Sequence, residues 1–225
     1  PKSSALIERA VLALREVDGL TRVANRIQFQ HKLQQAIARA SKNGLRVALL
    51  YVDLDRFKDV NDTFGHPVGD RSLEITARRL VDALDPGTLV GRLAGDEFAV
   101  LLRDLPASED MRPALAATAR TLLDRIAREF YVERREIVIT ASIGIAACPD
   151  DADNVIDLIR NADAAMYHAK QSGKNSHRFY AKNMDERVQL RLSMESKLKR
   201  ALERDELSLN YQAKVEIRSG RVTGV

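Results

Sequence analysis

The sequence predicts an α+β fold, and three observations carry that prediction. Val47-Ala48-Leu49-Leu50-Tyr51-Val52 is an unbroken apolar run between the Asn43-Gly44 turn and the acidic Asp53-Leu54-Asp55. Such a run suits a strand buried on both faces. Thr88 to Leu102 reads as strand, turn and strand around Gly91-Arg92-Leu93-Ala94-Gly95-Asp96-Glu97-Phe98-Ala99-Val100, because Gly95 tolerates φ > 0 and apolar residues flank it. Between and after these strands, apolar residues recur at helical spacing.

In chain order, Ser3 or Ser4 caps a helix to about Val17, with Leu6, Ala10 and Leu14 along one face. That helix either arrives from an upstream domain or packs on its own. Asp18-Gly19-Leu20-Thr21 breaks it, and Asn25 caps a second helix carrying Phe29, Leu33 and Ile37. After the buried strand, Lys58 to Asp70 is a polar, glycine-containing stretch, and a helix follows from about Asp70 to Leu84. Asp85-Pro86-Gly87 is a turn into the hairpin. Further helices are expected over about Arg112–Glu129 and from Asp153 or Asn154 to Gln171, the latter closed by Ser172-Gly173. Strand material lies at Ile137 to Ala146 and a closing strand at His177 to Tyr180.

The character changes after Tyr180, and a domain boundary is expected near residue 181. Residues 182 to 204 read as one charged helix, Leu207-Ser208-Leu209-Asn210-Tyr211 as a strand, and Ser219-Gly220 as a hairpin turn. The expected organisation is a helix over 1–17, a main domain over 18–181, and a linker helix with the start of another domain over 182–225. The chain opens on Pro1 and ends at Val225 in mid-pattern, which suggests a piece excised from a longer protein.

Composition bounds the partners. The 225 residues are 45% hydrophobic and 30% charged, ordinary for a globular protein. A net charge of +4 on 36 basic and 32 acidic residues is too balanced to argue for nucleic acid, but it is compatible with a small polyanion. One cysteine, Cys148, excludes an internal disulfide and points to a reducing, cytoplasmic setting. The longest weakly polar run, Ile137 to Cys148, falls well short of the ~20 residues that span a bilayer. No signal-peptide pattern is present at the start, though an upstream anchor or sensor would not be seen.

Several residue patterns carry chemistry. Asp53 ends the buried strand and Asp96 lies in the hairpin turn. Paired neighbouring strands are ~4.8 Å apart, so central pairing would bring both carboxylates to one sheet edge. Hard oxygen ligands without histidine or cysteine favour Mg²⁺ (or Mn²⁺), held by one or two carboxylates plus substrate phosphates. Alternatively, the acidic residues are simply those of an exposed turn. Asn61 and Asp70 offer an amide donor and a carboxylate acceptor that match the guanine edge and reject adenine. Equally, Asn61 closes a loop and Asp70 caps the next helix. Lys170 and Lys174, four apart, share a helical face and would hold phosphates as point charges, or else complement a helix C-terminus.

Taken together and in order, Asp18-Gly19-Leu20-Thr21, Asp53 through Asp62, Gly65-His66-Pro67-Val68-Gly69-Asp70, Arg92-Leu93-Ala94-Gly95-Asp96-Glu97-Phe98 and Ala162-Asp163 through Asn175 resemble the GGDEF, or diguanylate cyclase, family over roughly residues 15 to 180. The resemblance implies a nucleotidyl-cyclase/polymerase-palm-like central mixed sheet flanked by helices, an α/β sandwich. It implies condensation of two GTP to cyclic di-GMP with release of pyrophosphate. By that resemblance Asp53 and Asp96, with the Leu54 carbonyl, are the metal ligands. Asp96 sits at the family's proton acceptor for the attacking 3′-hydroxyl, with Glu97 beside it. Asn61 and Asp70 match the guanine contacts, His66 lies in the same substrate loop, and Lys58, Lys170 and Lys174 match phosphate contacts. Each domain would hold one GTP, so turnover is expected to need a homodimer.

Two departures stand out. Ala94 replaces the signature's first glycine, and if that position needs φ > 0, alanine costs roughly 1–2 kcal/mol. Asp85 and Thr88 replace the arginine and aspartate of the family's inhibitory product site, so feedback inhibition there is expected to be absent. The tail, Leu198 to Leu202, Leu207 to Val215 and Gly220 to Val225, resembles the opening of an EAL phosphodiesterase domain. The alternative to a cyclase is a GTP-binding regulatory module that controls such an attached domain.

Overall fold

A computed structural model describes residues 16–107, 110–184, 214–217 and 220–224. The chain divides into two units, Pro1–Met184 and Asp185–Val225. The expected helices over 3–17 and 182–204, the strand Leu207–Tyr211 and most of the EAL-like segment lie outside the described residues, or nearly so.

Near the start of the described residues, Val17 and Ala24 form a bridge across a turn. Helix α1, Arg26–Asn43, follows. Asn25 caps it as the sequence requires, its side chain accepting from the Gln28 N–H at 3.0 Å. Gly44, at φ 63°, closes it in the left-handed conformation that glycine adopts without a Cβ clash. Phe29, Leu33, Ala36, Ile37 and Ala40 form the buried face.

Strand β1, Leu45–Leu54, is buried along its last eight residues. It is the middle strand of the sheet, and from Val47 to Val52 no charged residue interrupts it. Strands β2, Leu89–Ala94, and β3, Glu97–Pro106, form the expected hairpin. With β6, Ala141–Cys148, and β7, Ser176–Phe179, they make a five-stranded mixed sheet of order β2-β3-β1-β6-β7. Only the β6–β7 pair is parallel. This is the α+β, palm-like architecture expected.

The alternation of β1 splits the core in two. Ala48, Leu50, Val52 and Leu54 pack on one side with Leu73, Leu80, Leu115 and Leu122. Val47, Leu49 and Tyr51 pack on the other with Phe29, Leu33, Leu158 and Ala162. Helix α5, Val155–Gln171, lies against β6, where a Cβ on Gly144 would overlap the backbone at Ala162 and Met166. That close approach sets how deeply the helix sits on the sheet.

Three expectations need correction. The helix expected from about Asp70 begins earlier, and the polar stretch before it is helical too: together they form α2, Phe57–Phe64, and α3, His66–Asp82. Gly65, at φ 86°, is the joint between them, and Pro67 sits in the first turn of α3, where its missing N–H costs nothing. The following helix α4, Arg112–Ile126, ends before Glu129. The material at 137–146 is not one strand, because β4, Phe130–Val132, and β5, Arg135–Ile137, form their own hairpin before β6 begins. In the second unit, β8, Lys214–Val215, pairs with β9, Val222–Gly224, across a turn at Gly220. No described helix is long and apolar enough to cross a membrane.

Candidate functional site

The register of β1 on β3 builds the site. Asp53 lies directly opposite Glu97, and Ala94 pairs with Glu97 across the turn, leaving Gly95-Asp96 as a two-residue connection. Positive φ falls on Gly95, at 43°, and not on Ala94. The condition for strain at Ala94 is therefore not met: it is an exposed residue of β2 with ordinary backbone. The Leu54 N–H approaches the Asp96 carbonyl at 3.4 Å, which ties the end of β1 to the turn. Arg92 braces the turn from outside, donating to the Gly95 carbonyl at 2.8 Å and to Asp18 at 3.1 Å. Asp18 in turn accepts from the Thr21 backbone and hydroxyl, so the Asp18–Thr21 segment is part of the hairpin's support.

Asp53 is 7% exposed. Burial pushes its carboxyl up to about 6, against the lowering effect of Lys170, and the charges of Asp96 and Glu97 push the same way as burial. The Lys170 ammonium stands 2.5 Å from Asp53 Oδ1. The contact is a close ion pair between α5 and the end of β1. Glu97 is held differently: the Tyr51 hydroxyl donates to its Oε2 at 2.9 Å. Burial, then the Glu97 charge, raises the Tyr51 phenol far above its ordinary value. Asp163 on α5 is also raised, first by burial and then by Glu97. Among the described residues no three or more His, Cys, Asp or Glu side chains converge as a metal cage.

The helical residues sit beside this edge in sequence but differ in character. Asn61 is in α2, and a Cβ on Gly69 would overlap its side-chain oxygen. Asp70 is the fifth residue of α3, which has no side-chain cap. Loop closure by Asn61 and helix capping by Asp70 therefore do not explain these two residues. Lys58, His66 and Asp70 are exposed. Lys170 and Lys174 do not share a helical face, because α5 stops at Gln171 and Lys174 lies beyond it at φ 64°.

Sequence reasoning gave no role to Asp55, which holds the site's far side. It is buried, accepts from Thr140 Oγ1 at 2.7 Å, Ser142 Oγ at 2.8 Å and the Asn175 N–H at 3.0 Å, and so anchors the segment that carries Lys174. The acidic repeat Asp53-Leu54-Asp55 was the available signal. Tyr51 likewise reads in the sequence as one more apolar residue of the strand.

Comparison with known proteins agrees with this architecture. The family described as diguanylate cyclase, GGDEF domain, matches residues 15–176. The chain is 41% identical over 224 residues to the bifunctional diguanylate cyclase/cyclic di-GMP phosphodiesterase MucR of Pseudomonas aeruginosa, covering 99% of this chain and 32% of that protein. It is 35% identical over 210 residues to the cyclic di-GMP phosphodiesterase PdeR of Escherichia coli, covering 92% of this chain and 31% of that one. The chain thus spans about a third of the length of these relatives. The solved GGDEF domain of TpbB (YfiN) from P. aeruginosa superposes with a TM-score of 0.72 at 34% identity, covering 77% of this chain and 99% of that structure. The coiled coil and GGDEF domain of DgcB from Caulobacter crescentus, in complex with c-di-GMP, gives 0.68 at 29% identity over 79% and 95%. With the sheet order, the carboxylate-bearing hairpin and the ordered motifs in agreement, the chain belongs to the diguanylate cyclase, GGDEF domain, family.

Proposed function

We infer that the chain condenses two GTP molecules to cyclic di-GMP with release of pyrophosphate. The observation that supports this most is the β1–β3 register, which puts Asp53 at the end of a buried strand beside the Asp96 turn. Asp53 is a buried carboxylate whose Oδ1 is paired with the Lys170 ammonium, and Asp96 adds a second charge nearby. This donor set suits Mg²⁺ or Mn²⁺, held by Asp53, Asp96 and the Leu54 carbonyl, with the remaining ligands from the nucleotide. When bound, the ion neutralises phosphate charge. Asn61 and Asp70 read guanine, with His66 in the same stretch, and Lys58, Lys170 and Lys174 hold the phosphates. Asp96 takes the proton of the attacking 3′-hydroxyl, with Glu97 beside it. The new ester bond forms at the α-phosphorus of the facing GTP as its bond to pyrophosphate breaks. Two domains meet face to face, so the rate comes mainly from positioning and charge.

A second reading has support of its own. Relatives named as cyclic di-GMP phosphodiesterases share this region at 32–35% identity. In that reading the module binds GTP without turnover and controls an attached EAL phosphodiesterase. The test is to incubate the chain with GTP and Mg²⁺ at concentrations that permit dimerisation and follow cyclic di-GMP and pyrophosphate. Product that is lost by roughly 10²–10³-fold or more in Asp96→Ala supports the cyclase. GTP binding with no product at any protein concentration contradicts it and favours the regulatory module. Asp85 lies in the turn that its carbonyl closes with the Thr88 N–H, and no feedback inhibition through that segment is expected.

A further inference from the structure

The segment that joins α5 to β7 runs through costly backbone. Gly173, Lys174 and Asn175 follow one another at φ 117°, 64° and 42°. Glycine adopts such angles freely and asparagine tolerates them, but a lysine there brings its Cβ against the following carbonyl. A conformation of this kind persists only where neighbouring structure holds it. Two contacts do so. The Lys174 N–H donates to the Ala169 carbonyl at 3.2 Å, which ties the segment to the last turn of α5. The next N–H, that of Asn175, donates to Asp55 Oδ2 at 3.0 Å.

Asp55 is itself immobilised. It is 6% exposed, and its own N–H donates to the Thr140 carbonyl at 2.8 Å. Its Oδ1 accepts from Ser142 Oγ at 2.8 Å, and its Oδ2 from Thr140 Oγ1 at 2.7 Å. Three donors on one side chain call for an acceptor-only group, which a carboxylate is and an amide is not. Asp55 also follows Asp53 by two residues, so the carboxylate that grips Asn175 moves with the strand end that carries the acidic edge. It reaches a partner 120 residues further along the chain. We propose that Asp55 is a positioning residue for the nucleotide phosphates: by pinning the Asn175 N–H to the end of β1, it holds the Lys174 backbone at one spacing from Asp53. The lysine is then in place before the nucleotide arrives, and no ordering of the segment is left to oppose binding. This rests on the reading of Lys174 as a phosphate contact.

The test is calorimetric binding of a GTP analogue with a methylene bridge between its α- and β-phosphorus, in the presence of Mg²⁺. Wild type, Asp55→Asn, Lys174→Ala and the double variant are compared after thermal melts show that each folds. Asp55→Asn keeps the size of the side chain but turns an NH₂ group toward a donor. Affinity falls about tenfold in Lys174→Ala and about five- to tenfold in Asp55→Asn. In the Lys174→Ala background the Asp55→Asn change adds no more than about twofold, because the coupling runs through that lysine. Asp55→Asn within about twofold of wild type overturns the proposal. So does a loss of equal size in the Lys174→Ala background, which would make Asp55 a residue that only holds the fold. An Asn175 amide that exchanges in wild type as fast as in an unfolded chain overturns it as well. Where Asp55→Asn does not melt cooperatively, Thr140→Val takes its place in the cycle, since it frees the same Oδ2 to turn. The loss is then about threefold and again vanishes in Lys174→Ala, and no loss overturns the proposal. A Lys174→Ala variant that binds as tightly as wild type overturns the proposal together with the phosphate reading. Failure of cyclisation is seen separately in the product assay, and leaves this binding test in force.

Discussion

The carboxylate edge and the α2–α3 stretch are neighbours in sequence but are specified by different physics. At the edge, Asp53 and Glu97 hang from a strand register. Asp53, Glu97 and Ser142 are level across β3, β1 and β6, and Asp55 locks the strand end to Thr140, Ser142 and Asn175. A one-residue slip would turn each of them to the other face. In α2–α3, Lys58, His66 and Asp70 are exposed side chains on helices, and the fixed point is the close contact of Asn61 with Gly69. The edge is thus rigid by burial, and the helical stretch by one missing Cβ. Charge chemistry gains from the first arrangement, since low-dielectric surroundings strengthen each interaction. Recognition of a base gains from the second, which leaves polar groups accessible.

Substitutions that disturb one region should leave the other intact. The largest effect after loss of Asp96 is expected from Gly69→Ala. The new methyl must displace the Asn61 amide, and overpacking of this kind costs about 1–3 kcal/mol. GTP affinity falls roughly tenfold by calorimetry, whereas Mn²⁺ affinity without nucleotide stays within about twofold of wild type. Equal losses of both would show that the regions are not separable.

A medium effect is expected from pH acting on the edge. Asp53 holds its proton to about pH 6 in the fold and to ~3.9 in the unfolded chain. The folded state binds the proton more tightly, so any stabilisation from Asp53 is present at low pH and is lost as pH rises through about 6. In metal-free protein, wild type should lose melting temperature relative to Asp53→Asn between pH 4 and pH 7. Added Mn²⁺ should reverse that trend in wild type alone. Parallel melting curves for the two proteins across this range would contradict the buried-carboxylate description.

The smallest effect belongs to Ala94→Gly. Ala94 has ordinary backbone, so glycine relieves no strain and costs up to about 1 kcal/mol of strand stability. GTP affinity is expected to change by less than about threefold. A tenfold gain would mean that the Ala94 methyl crowds the nucleotide.

The same contrast explains what was legible in the sequence. The strand β1, the hairpin and the caps Asn25, Gly44 and Asn154 follow from local chemistry: an apolar run, a glycine turn, side chains that accept from a helix's first N–H groups. The joining of α2 to α3 was hidden because Gly65 and Pro67 are breakers when read alone, whereas here one is a helix joint and the other a first-turn residue. The β4–β5 hairpin turns on Glu133 and Arg134, both at positive φ without glycine or asparagine to announce it. Asp55 and Tyr51 act on residues that the chain delivers only after folding, Thr140, Ser142 and Asn175 for one and Glu97 for the other. Local patterns do not encode such pairings; the register of the sheet does.

The most direct measurement is a crystal structure with Mn²⁺ and a non-hydrolysable GTP analogue, located by the manganese anomalous signal. The expected peak lies between the Asp53 and Asp96 carboxylates, with guanine against Asn61 and Asp70. A peak away from those carboxylates, or a guanine bound elsewhere on the domain, would contradict the site described.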